Sequence, residues 1–355
     1  MVLLLIALPL AAQQPPMTVD RYQPRSTLVV PETRLTRARF PFIDVHNHQW
    51  AIHSRPGLDS LVRHMDDLNL EVMVDLSGGS GESLAADVRH YARYPGRFVV
   101  FANLDYRGLG QPGWGERAAA RLRDDILRGG ARGLKIFKDL GLDVRDDAGR
   151  RVPVDDPRLD PVWSAAGELG IPVLIHTGEP ASFFEPVDST NERWLELTRF
   201  PRRARPPSRY PSWEALMGEQ HRLFARHPRT TFIAAHLGWL GHDLGRLSRL
   251  LDSLPNVYVE MGAVLYELGR QPATARRFLI RHAGRVMMGK DTWEPSEYHS
   301  YFRVLETEDD YIPYYRPYHA FWRLYGLNLP DDVLRALYWG TAARVIPGIS
   351  PVPAR

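Results

Sequence analysis

From Phe40 onward, short apolar runs alternate with longer segments whose apolar positions recur every three or four residues. The apolar runs end near His46, Leu76, Asn103, Phe137, His176, His236, Glu260 and Asp291, and read as strands. Amphipathic stretches at 58–69, 116–128, 161–169, 213–226 and 274–282 read as helices between them. Strand and helix in alternation imply parallel strands joined by crossovers. Eight such units predict an α/β chain of the (β/α)8 type, a TIM barrel. The spacing agrees: 130 residues separate His46 from His176 and 55 separate His236 from Asp291, four and two units at the ~31 residues that a typical barrel allots to each.

The step from His176 to His236 is 60 residues, about one unit more than it requires. The surplus falls at 178–211, rich in Pro, Arg and aromatic residues, directly after the fifth strand. It reads as a lid or binding loop, with an inert surface flap as the alternative. Beyond Asp291, a densely aromatic stretch at 311–325 and a helix at 331–345, preceded by Pro330 and acidic in its first turn, predict a C-terminal helical cap over about 295–347. Residues 13–39 read as a linker or N-terminal arm, which leaves 40–347 for the barrel and its cap.

Composition narrows the function classes. The 355 residues are 44% hydrophobic and 25% charged, an ordinary globular mix, and include no cysteine. Disulfides and thiolate metal sites are therefore excluded, and any metal must be held by histidine, carboxylate or other hard ligands. The 45 basic and 42 acidic residues nearly cancel, and the arginines are spread along the chain. That argues against a nucleic-acid partner. Residues 1–12 form an apolar run ending in small residues and read as a signal peptide, too short to span a bilayer. The expectation is export to the periplasm or beyond, with no membrane span in the mature protein; without that signal the location is cytoplasmic.

Along the first strand, alternation groups Asp44, His46 and His48 on one face and Ile43 with Val45 on the other. The polar series is expected to face the barrel mouth, where a divalent cation would satisfy it. His176, His236 and Asp291 each close a later apolar strand at its carboxyl end, where barrel enzymes gather their active sites. The basic residues include only Lys135, Lys138 and Lys290 as lysines. Alternation turns Lys135 inward with Gly133 and Phe137, puts Lys138 in the following loop, and faces Lys290 to the helices in a structural role.

The motifs Asp-Val-His-Asn-His (44–48), Gly-Leu-Lys (133–135), Ile-His-Thr-Gly (175–178), Ala-His-Leu-Gly (235–238) and Gly-Lys-Asp (289–291) together resemble the amidohydrolase superfamily, in its amidohydrolase-related branch of metal-dependent hydrolases and decarboxylases. The resemblance implies that His46, His48, His176 and Asp291 hold one divalent ion, expected to be zinc, with a second ion left open. It implies catalytic roles for Asp291, His236 and Lys135. His236 would be a ligand or a donor to the substrate. Lys135 would carry a metal-bridging carbamate or supply a cation for an anionic substrate. Glu179 could orient a substrate or cap its loop, and Glu260 could support a ligand or form a buried ion pair. Trp239 and Trp293 could wall a pocket, and Arg193, Arg202 and Arg203 could bind a substrate carboxylate or stay solvated. The expected activity is hydrolysis of an amide, ester or lactone by a metal-activated water. The alternatives are non-oxidative decarboxylation of an aromatic or unsaturated carboxylate and a non-catalytic binding protein. The expected partner is a small-molecule substrate, and the barrel admits a homo-oligomer.

Overall fold

Each repeating unit pairs a short buried strand with an amphipathic helix. The computed structural model describes residues 17–350, so the signal segment read at 1–12 lies outside the described residues. The strands are β1 (Phe42–Asn47), β2 (Leu70–Asp75), β3 in two segments (Phe98–Val100 and Ala102–Asn103), β4 (Leu134–Ile136), β5 (Val173–Ile175), β6 (Phe232–Ala234), β7 (Val257–Glu260) and β8 (Val286–Met287). The helices that follow them are α1 (Leu58–Leu68), α2 (Glu82–Tyr91), α3 (Trp114–Leu127), α4 (Asp160–Leu169), α5 (Trp213–Arg226), α6 (Leu244–Ser253), α7 (Pro272–Arg281) and α8 (Pro295–Glu306). All the pairings from β1 through β8 are parallel. Val45 N donates to Met288 O at 3.0 Å and closes the ring. The expected eight-stranded barrel is present, and the five helices read from periodicity agree within two residues at either end. Among the described residues no helix is long and apolar enough to cross a membrane.

The contact pattern divides the apolar residues into two layers. Ile43, Val45, Val72, Val74, Phe101, Leu174, Ile233 and Met287 form one buried cluster. These come from strands that are not all neighbours, and such residues meet only along the barrel axis. Phe42, Met73, Leu134, Ile136, Val173, Ile175 and Val259 belong instead to the larger cluster shared with the helices. The phase expected for β1 is thus reversed over its first half. Ile43 and Val45 point inward, while Asp44 points to the helix layer and accepts from Tyr298 on α8 (2.6 Å), Asn47 Nδ2 (2.8 Å) and the backbone N–H of Lys290 (3.0 Å). The register of β1 against β2 slips between Asp44 and Asn47. A slip of this kind changes which face the following side chains occupy, so His46 and His48 still reach the mouth. Burial pushes the Asp44 carboxyl up to about 6, against the bonds from Tyr298 and Asn47.

Past α8 the chain makes a small antiparallel hairpin, β9 (Ile312–Pro313) with β10 (Arg323–Leu324), then the predicted terminal helix. This helix runs as Asp331–Arg335, a π-wound turn Ala336–Gly340, and Thr341–Val345. It wedges into the seam between β8 and β1: Leu337 O accepts from Met288 N, Tyr338 packs on Phe42, and Trp339 and Ala342 join the axial cluster. The chain divides at Val30, and the described part of the unit before it is largely exposed with one 3-10 turn, Val19–Arg21. Residues 31–39 belong to the barrel unit, where Thr33 donates to Asp309 and Arg39 N donates to Glu306. Removing the Trp339 side chain opens the axial core from below. Trp339→Ala is expected to cost about 3–5 kcal/mol, read as a lower urea midpoint at unchanged slope.

Candidate metal centre and active site

The carboxyl ends of β1, β4, β5, β6, β7 and β8 bring the expected polar residues together. His46 Nε2, His236 and Asp291 place one ligand-competent atom each within 4.8 Å of one another. Asp291 Oδ1 lies 3.3 Å from His46 Nε2 and 3.7 Å from His48 Nε2. His176 joins one step away, its Nδ1 3.3 Å from His236 Nε2. Lys135 faces inward as expected, and its Nζ donates to His46 Nε2 at 3.3 Å. The tight trio therefore contains His236, expected at the edge, while His176 reaches it through His236.

Three of the imidazoles are held from behind. His46 Nδ1 meets Glu260 Oε1 at 2.9 Å, His48 Nδ1 meets Ser77 Oγ at 2.9 Å, and His236 Nδ1 donates to Gly262 O at 2.7 Å. For His46 and His236 the partner is a pure acceptor and leaves Nε2 as the lone pair, the arrangement that metal-ligating histidines use. His176 Nε2 is buried without a hydrogen-bond partner. Burial holds His46 and His176 well below the usual imidazole range and His48 down at about 4, so all three are neutral and can donate lone pairs. Burial opposes ionisation of Asp291, but the cluster around it, with Lys135 as its cation, holds the carboxyl down at about 2. Burial also brings Lys135 down to about 8. Neutral imidazoles beside a carboxylate, with a buried nitrogen left over, fit a divalent ion.

The backbone carries strain here. His236 (φ 57, ψ 43), Leu237, Gly238 and Trp239 are all left-handed, as is Asp291 at φ 80. A left-handed turn costs roughly 1–2 kcal/mol for each residue with a side chain, and such cost concentrates at functional sites. The turn lays Trp239 against His236 and His176, with ring centroids 4.7 and 5.7 Å away. On the opposite wall Trp50, 52% exposed, stacks on His48 at 5.4 Å and on Phe137 at 5.5 Å. Trp293 packs on Tyr298 and not on the trio. Lys290 is buried among Tyr298, Tyr301 and Tyr315 and pairs with Glu297, the structural role expected of it. Sequence reasoning missed Trp50 and Ser77. Trp50 lies two residues past His48, and Ser77 lies two residues past the end of β2, so each had a positional signal.

The long loop is built and anchored. It contains Ala181–Phe184, Trp194–Arg199 and Pro201–Arg203 as short helical turns. Glu179 is clamped by Lys138 at 2.6 Å and Arg205 at 2.9 Å, a capping role for the loop. Arg193 is buried, not solvated: its guanidinium lies over Tyr266, Trp322 and Phe183 and pairs with Glu196 at 3.1 Å. Arg203 also pairs with Glu196, and Arg202 lends its carbonyl to Arg205. Pro180, Ser182 and Glu192 of the loop face Trp239, Val264 and Glu267 across a cavity of about 240 Å³. Breaking the clamp with Glu179→Ala should expose the loop, so trypsin is expected to nick 178–211 several-fold faster than in the wild type. A cleavage rate equal to wild type would show that the clamp does not hold the loop.

The amidohydrolase family model matches residues 43–348. Solved structures with this fold include an uncharacterised TIM-barrel protein from Bordetella bronchiseptica (18% identity, 86% of this chain and 97% of that one, TM-score 0.52). A 2,6-dihydroxybenzoate decarboxylase from Rhizobium aligns at 16% identity over 86% and 98%, TM-score 0.55. A dihydroxybenzoic acid decarboxylase from Polaromonas, solved with bound manganese and 2-nitroresorcinol, aligns at 14% over 86% and 96%, TM-score 0.54. Comparison with curated proteins returns no match.

Proposed function

The chain belongs to the amidohydrolase family, and from that premise we propose that it is a metal-dependent hydrolase cleaving an amide, ester or lactone bond of a small-molecule substrate. Asp291 carries the reading. It is an ionised carboxylate that touches His46 and His48 and keeps 28% of its side chain open to solvent, so water reaches it. His46, His48, His176 and Asp291 would hold one divalent ion, zinc by the nitrogen-rich donor set, with His236 in the same group. When bound, such an ion supplies Lewis-acid chemistry, lowering the pKa of a water to roughly 7 and polarising a carbonyl.

Around that ion the chain's own groups have separate tasks. Asp291 accepts the proton that water loses on attack and returns it to the leaving group. His236, anchored through Nδ1 to Gly262 O, keeps its Nε2 lone pair free to join the ligand group. Lys135 offers a cation to an anionic group of the substrate. Trp50, Phe137 and Trp239 supply apolar walls. A carboxy-lyase is the second reading, favoured by the Lys135 cation beside the His48–Trp50–Phe137 stack, which together suit a planar aromatic carboxylate. Decarboxylases of dihydroxybenzoates share the fold. Export, read from residues 1–12, belongs to the same proposal.

Two experiments test the reading. Purified protein is expected to carry one divalent ion per chain by elemental analysis, and the double variant His46→Ala/His48→Ala to carry none while keeping its circular dichroism. Full occupancy in that variant sinks the ligand assignment. Asp291→Asn is expected to lower kcat by roughly 10²–10⁴ in a screen of esters, lactones and amides. Release of carbon dioxide from aromatic carboxylates, without hydrolysis of any of the three, would favour the lyase. Lys135→Arg should retain part of the activity, since it keeps the charge. Two ions per chain, falling to one in Lys135→Ala, would replace the cation by a bridging carbamate.

A further inference from the structure

Glu260 is fully buried at the carboxyl end of β7, and among the described residues no lysine or arginine forms an ion pair with it. N–H donors meet its charge instead. Oε1 accepts from His46 Nδ1 at 2.9 Å and from the backbone N–H of His236 at 2.6 Å, and Oε2 accepts from the backbone N–H of Gly262. Two glycines make room for the carboxylate. A β-carbon on Gly262 would come within 2.7 Å of Oε2, and one on Gly289 would strike the same oxygen. One side chain thus touches the ends of β1, β6, β7 and β8.

We propose that Glu260 is the positioning residue of the metal centre: its carboxylate fixes the Nδ1–H tautomer of His46 and holds the left-handed backbone of His236, presetting both side chains for the ion. The inference rests on the reading above that these residues hold a divalent ion. By accepting from Nδ1–H, Glu260 leaves His46 Nε2 as the lone pair, and that atom is the one beside Asp291 and Lys135. The carboxylate also makes the imidazole a more basic ligand. By accepting from His236 N, it ties down the first residue of the strained turn, while Gly262 O holds the same ring from the other side. A buried carboxylate kept only for packing would need none of these partners to be ligands.

The test compares Glu260→Gln, which keeps an oxygen acceptor without the charge, with Glu260→Leu, which keeps the bulk without an acceptor. Zinc affinity is measured by competition with a chelating chromophore, and the ring nitrogens are followed by 15N NMR of histidine-labelled, metal-free protein, with His46 assigned by its loss in His46→Gln. Wild type should show His46 protonated at Nδ1. Zinc should bind about tenfold more weakly in Glu260→Gln and about 100-fold more weakly in Glu260→Leu, with the Nδ1–H signature lost only in the leucine variant. Zinc affinity within twofold of wild type in folded Glu260→Leu, with the His46 signature unchanged, would overturn the proposal. If Glu260→Leu does not fold, an affinity within twofold of wild type in Glu260→Gln does so alone. Wild-type protein that binds no zinc would refute the metal reading instead, and the tautomer of the metal-free protein would still decide the role of Glu260.

Discussion

The contact between the first strand and the last fixes the site. Val45 donates to Met288, and Asp291 N donates to His46 O at 2.6 Å, so two backbone bonds hold the opening histidine motif against the closing aspartate. Parallel strands cannot leave these groups unpaired without a cost comparable to a lost hydrogen bond, and barrel closure removes the edge altogether. The terminal helix depends on the same seam. Its π-wound turn presents Leu337 O to Met288 N and so satisfies that donor at the seam. The stability of that seam is therefore a condition for the distance between His46 and Asp291.

The site gathers buried ionisable groups around neutral imidazoles. Asp291 is held as a carboxylate, Lys135 lies buried against His46 Nε2, and His46, His48 and His176 are held neutral by burial. Bringing charges out of water is expensive, and the mutual attraction offsets it only with good geometry and satisfied hydrogen bonds. Glu260 has those bonds. His176 Nε2 does not, and Asp291 is half of an arrangement that stays open toward solvent. A centre of neutral nitrogen donors and one accessible carboxylate is built to receive a cation and to exchange protons with water. That supports hydrolysis as the first reading.

Access is set by loops, not by the barrel. The segment 178–211 is held at its start by Glu179 between Lys138 and Arg205 and in its middle by Arg193 within Tyr266, Trp322 and Phe183. A guanidinium desolvated over several rings gains more than one on the surface, which explains why this arginine-rich loop is ordered against the barrel. The cavity beneath it ends at Trp239, whose ring packs on His236 and His176.

The strand–helix alternation, the eight-unit count and the strand-end positions of His46, His48, Lys135, His176, His236 and Asp291 were legible in the sequence, because strand period and apolar runs are local properties. The phase of β1 was not. Simple alternation put Asp44 with the histidines, but Asp44 turns to Tyr298 while Ile43 and Val45 fill the axis, and the register slip between Asp44 and Asn47 returns the histidines to the mouth. A slip depends on the pairing with β2 and leaves no mark on the strand itself. Arg193 was equally opaque, since its aromatic cage comes from Phe183, Tyr266 and Trp322. Glu260 could be seen as a strand-end carboxylate, yet its partners His46, His236 and Gly262 arrive from three different elements. Sequence determined which side chains reach the mouth of the barrel; only tertiary packing decided which atoms of them face each other, because hydrogen-bond partners are set by contacts between distant segments.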